Sequence, residues 1–136
     1  MNKKQYEQEV EETTKAYQYV LATRDITAEE IEYLIGVDVP EIAKKETTKE
    51  QLVEAMQTAC NSLNTLVNDI AKACGSEYTQ IEEQSLQQLT TIMEQSAEGL
   101  VGDVGGISMF FMELAIKARK MKAKLAINEV LSNIGD

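Results

Sequence analysis

Histidine and tryptophan are absent from this chain of 136 residues, and proline occurs once, at Pro40. Without His the chain lacks the commonest general base and the commonest metal ligand. Zinc fingers, Ser-His-Asp hydrolases and Cys-His nucleophiles are thereby excluded. Cysteine is scarce too. Cys60 and Cys74 fall within one expected helix, roughly 21 Å apart along its axis, whereas a disulfide needs Cα atoms within about 7 Å. They are expected as buried, reduced thiols. Long apolar runs are also missing: Val104–Ile116 is interrupted by Gly105, Gly106 and Glu113, too short to span a bilayer. The segment MNKKQYEQEV has no apolar stretch after its lysines, so no signal peptide is expected. The chain reads as cytoplasmic, without a membrane partner.

What is present is ordinary for a globular chain, with 43% hydrophobic and 26% charged residues. Its length suits one domain, residues 1–136. The net charge is −10, unevenly spread. Residues 1–54 carry seven basic and thirteen acidic groups, and residues 55–116 carry one and eight. Residues 117–136 reverse the sign, with Lys117, Arg119, Lys120, Lys122 and Lys124 against Glu129 and Asp136. The overall sign disfavours binding to a phosphate backbone, which draws its affinity from clustered cations.

Apolar residues recur with helical period throughout. A first helix is expected over about 3–22, with Tyr6, Val10, Thr13, Tyr17 and Val20 on one face. Thr27–Glu30 reads as a capping box opening a short helix that stops at Gly36. The connector GVDVPEIAKKE follows, with Pro40 in it or opening one helical turn. Thr47–Glu50 reads as a second capping box. Beyond it Leu52, Met56, Ala59, Leu63, Leu66, Ile70 and Ala73 recur at four-three spacing, the seam of a bundle helix. Another helix, about 77–101, carries Leu86, Leu89, Met93, Ala97 and Leu100. The last, about 107–134, carries Phe110, Leu114, Ala118, Met121 and Leu125. The expected fold is all-α: an antiparallel bundle of four long helices plus one short helix, oligomeric because the last helix is apolar on so many faces.

Five features can carry function. Gly99, Gly102, Gly105 and Gly106 crowd ahead of a helix, where glycine can admit a phosphate to backbone N–H groups. No Lys-Ser/Thr ending or preceding strand accompanies them, and they are read as a turn or hinge. Carboxylates at Glu94, Glu98 and Asp103, with the pair Glu82–Glu83, suggest magnesium chemistry of the kind all-helical MazG-type pyrophosphatases perform without His. The paired E-x-x-E and E-x-x-D spacing of those enzymes is absent, so no metal and no cofactor is assigned. Lys117, Arg119, Lys120, Lys122 and Lys124 form a basic stripe for an acidic partner, or for the chain's own acids at Glu7, Glu9, Glu11 and Glu12. Met109, Phe110, Phe111, Met112 and Leu114 form an apolar stretch read as a protein interface.

Finally, the segment from Thr27 to Gln57 resembles the helix–loop–helix pattern of SAP- or Rho-N-like modules at Ile31, Leu34, Pro40, Lys49, Leu52 and Val53. The resemblance implies nucleic-acid binding. Glu29, Glu30, Glu32, Asp38, Glu41 and Glu46 make the segment acidic instead, and its second helix runs far past the module's usual end. The leading reading is a non-enzymatic protein–protein interaction module: an adaptor, inhibitor or assembly factor, of a type that phages and mobile elements also use. Its partner is expected to be another protein, with self-assembly into a homo-oligomer. The rivals are a helical protein that binds or mimics nucleic acid, and a magnesium-dependent pyrophosphatase.

Overall fold

Thr27 starts the helix that follows it through its own side chain. Its hydroxyl accepts the Glu30 N–H at 3.2 Å, satisfying one of the donors that a helix start leaves open. The computed structural model describes residues 3–5, 8 and 26–134, with side chains of the last helix given as far as Asn128. The expected first helix over 3–22, with its Glu7, Glu9, Glu11 and Glu12, lies outside the described residues but for positions 3–5 and 8.

Helix α1, Ala28–Ile35, ends at Gly36, whose φ of +73° suits glycine and whose N–H reaches the Glu32 carbonyl at 2.8 Å. Helix α2, Val39–Ile42, is one turn with Pro40 in its first positions, where no N–H is needed. Helix α3, Lys49–Cys74, starts one residue later than the Thr47–Glu50 box implies. Thr48 is the cap, and Gln51 completes the box by accepting the Thr48 N–H at 2.9 Å. Thr47 is instead buried, and its hydroxyl donates to the Ile42 carbonyl at 2.8 Å, closing the loop beneath.

Gly75 ends α3, and a 3₁₀ turn over Ser76–Tyr78 leads to α4, Gln80–Leu100. Helix α5, Val104–Ile134, then runs for 31 residues. It begins three residues before the expected start, because Asp103 takes the capping role. Every element among the described residues is helical.

Helix α3 is the axis of the packing, with both α4 and α5 lying along it. Its seam residues Leu52, Met56, Ala59, Leu63, Leu66 and Ile70 are all buried, while Ala73, at the frayed end of the period, is exposed. They meet Met93 and Ala97 of α4, together with Ile107, Phe111, Leu114, Ala118 and Met121 of α5, in one core. The α5 seam thus runs through Phe111, not Phe110: four-three spacing back from Leu114 lands on Phe111 and Ile107.

Although consecutive in the chain, α4 and α5 have little contact with each other. The short α1 packs on α5 and α3. Ser62 of α3 donates to the Ile35 carbonyl at 3.2 Å and so closes the end of α1. Three long helices and two short ones therefore make up the described bundle.

Candidate protein-contact surface

The apolar stretch of α5 divides between interior and surface. Phe111 is fully buried and Leu114 nearly so, both inside the core. Phe110 and Met112 are half-buried, and Met109 is 52% exposed. The Phe110 ring stands edge-on to Phe111, with centroids 5.3 Å apart and planes at 88°, the arrangement that ring quadrupoles favour. Apolar surface open to a partner on this stretch is therefore Met109 with the outer edges of Phe110 and Met112. The breadth of the α5 apolar surface has a cause within the chain, since α3 covers one side and α1 another.

The basic stripe is drawn largely into the fold. Arg119, itself buried, pairs with Glu30 of α1. Lys122 holds its ammonium 4.0 Å from the centre of the Tyr33 ring, also on α1. Lys124 donates to the Tyr78 carbonyl at 2.8 Å and pairs with Glu82 at 2.9 Å. Lys117 is exposed and Lys120 half-buried. Glu30 carries a sequence signal for a different task, as the third position of a capping box. Its backbone performs that task, and its carboxylate turns to Arg119.

The glycine cluster is built as a turn. Gly102 takes φ +81°, a conformation that side chains resist. Asp103 then caps α5, its carboxylate accepting the Gly106 N–H at 2.9 Å. A Cβ on Gly106 would lie 2.4 Å from that carboxylate and 3.0 Å from the Leu100 side chain, so a side chain there would push Asp103 out of its capping position. Gly99 lies within α4 and Gly105 in the first turn of α5, and a Cβ on either would meet nothing closer than 3.9 Å.

Glu94 and Glu98 are both exposed on α4. Glu94 borders a shallow depression shared with Lys49, Glu50, Val53, Glu54 and Gln57 of α3. Among the described residues no three His, Cys, Asp or Glu side chains are placed to hold a metal ion together. Both thiols are half-buried and unbridged. Burial pushes the Cys60 and Cys74 thiols above their ordinary range, and nearby Lys124 pulls Cys74 partly back. No described helix is long and apolar enough to cross a membrane.

Other surface features escape a search for seams. Ile81 is 78% exposed and Ile92 47%, both off the buried face of α4, and Val101 and Val104 stand exposed at the α4–α5 turn. Their signal was an apolar residue out of phase with Leu86, Leu89, Met93 and Ala97. Comparison with protein-family models, with curated proteins and with solved structures finds no match to this chain.

Proposed function

We propose that this chain is a non-enzymatic protein-contact module, an adaptor, inhibitor or assembly factor working in the cytoplasm. The observation that carries the reading is the contrast between its charged and apolar groups. Arg119, Lys122 and Lys124 are engaged within the fold, while Val101, Val104 and Met109 stand exposed at one end of the bundle. Exposed side chains of this kind lose water on meeting another protein, at about 25 cal/mol per Å² of apolar surface. A nucleic-acid binder would instead keep its cations free for phosphates.

The test uses the tagged full chain beside a variant carrying Val104→Glu and Met109→Glu. The expected outcome is a protein retained by the native chain and lost by the variant, at equal melting temperature. Retention of a DNA duplex that weakens steeply with salt would replace this reading with the nucleic-acid one. Turnover of a nucleoside triphosphate that depends on magnesium and on Glu94 or Glu98 would replace it with the enzymatic one.

A further inference from the structure

Helix α4 is the least covered of the long helices. It packs along α3 and hardly touches α5, and only Met93 and Ala97 of its residues are buried. At 100° per residue, Ile81, Ser85, Gln88, Ile92, Gln95 and Gly99 share an arc of about 80° on one flank. All are exposed except the half-buried Ser85. No ionisable group lies on that arc. Glu83, Glu94 and Glu98 project about 100° or more from its centre, and Glu82 is held by Lys124.

We infer that this flank is the contact between two copies of the chain, paired antiparallel along α4. The occupant follows from charge. A symmetric contact along α4 sets that helix against itself, and every ionisable residue of α4 is a glutamate, so a charged patch on it would meet its own sign. In a chain of net charge −10 a neutral strip is the part of this helix that a copy can approach closely, and this one runs most of the length of α4. A basic foreign partner would select the acidic surface instead. Spacing fixes the direction: Ile81 and Ile92 stand three turns apart, about 16 Å along the axis. A two-fold axis midway between them sets Ile81 of each copy on Ile92 of the other. Gly99 and Ser85 keep the flank low enough for helix axes to approach. A contact one helix wide is small, and a dissociation constant of about 10 µM or weaker is expected.

The contact is separate from the partner surface at the α4–α5 turn and is read by a different measurement. Sedimentation velocity on the full chain, across about 1–500 µM, is expected to show a reversible monomer–dimer equilibrium. It strengthens as salt rises, because screening removes repulsion between the two acidic bodies. The Ile81→Glu, Ile92→Glu double variant is expected to stay monomeric with unchanged melting temperature, since both side chains are exposed. An equimolar mixture of the Ile81→Lys and Ile92→Glu variants is expected to recover a heterodimer. Antiparallel pairing brings that lysine to that glutamate and leaves the two isoleucines together. A native chain that is monomeric at every concentration and salt overturns the inference. So does a dimer that survives the double variant, or a mixture that fails to recover one.

Discussion

Arg119, near the middle of α5, is paired with Glu30 of α1, 89 positions earlier in the chain. The guanidinium is buried and the carboxylate about half exposed. Such a pair is worth more than a surface ion pair, because water screens a buried guanidinium poorly. Glu30→Gln is expected to lower stability by about 1–2 kcal/mol, read from the urea midpoint. Arg119→Met, which removes the guanidinium and every contact it makes, is expected to cost at least as much as Glu30→Gln. The opposite order would show that the Glu30 carboxylate acts outside this pair.

The two phenylalanines of α5 are expected to behave unequally. Phe111→Ala empties a fully buried site and is expected to cost about 3–5 kcal/mol. Phe110→Ala, on the half-buried neighbour, is expected to cost less than half of that. Met109→Ala should leave the unfolding midpoint within about 0.5 kcal/mol of the native value. Equal losses at Phe110 and Phe111 would contradict the placement of the seam.

Within the glycine cluster, alanine is expected to act with opposite signs. At Gly99, inside α4 with open space around a Cβ, it should stabilise by about 0.5–1 kcal/mol. At Gly102, where φ is +81°, it should destabilise by about 1 kcal/mol. At Gly106 it displaces the Asp103 cap, and the added loss should vanish in an Asp103→Ala background. Uniform effects across the three positions would show a flexible hinge in place of a built turn.

Thiol reactivity supplies a further check. Burial raises both cysteines, so less thiolate is present at a given pH and iodoacetamide should react more slowly than with the unfolded chain. Lys124 opposes the rise at Cys74 alone. Lys124→Met is therefore expected to slow alkylation of Cys74 further and leave Cys60 unchanged. Because folding favours the neutral thiols, this contribution to stability is present below the ordinary thiol range. It falls away as pH climbs through that range and the unfolded chain ionises first. Faster alkylation of Cys74 in the variant would reverse the assigned role of Lys124.

The helical class, the α3 seam and the stop at Gly36 were legible because each rests on local chemistry: period, cap and left-handed glycine. The α3 cap was misplaced by one residue because Thr47 and Thr48 both suit the role. Only the Ile42 carbonyl, supplied by the preceding loop, draws Thr47 away. Phe110 and Phe111 were exchanged for a similar reason, since either ring continues an apolar pattern on a helix that is greasy nearly all round. The destinations of Arg119, Lys122 and Lys124 were out of reach of sequence reasoning. Their partners Glu30, Tyr33 and Glu82 lie far away in the chain, and no spacing rule connects them.

The docking of α1 also orders the events of folding. Its contact with α3, from Ser62 to Ile35, closes 27 positions, whereas its pair with α5 closes 89. Shorter loops cost less entropy to close, so α1 settles on α3 before α5 reaches either of them. Only eight residues long and tied to α5 by half-exposed ionic and cation–π contacts, α1 is nonetheless the element expected to open first. Amide exchange in α1 should therefore proceed through its own local opening, faster than in the seam of α3, while the three-helix core stays closed.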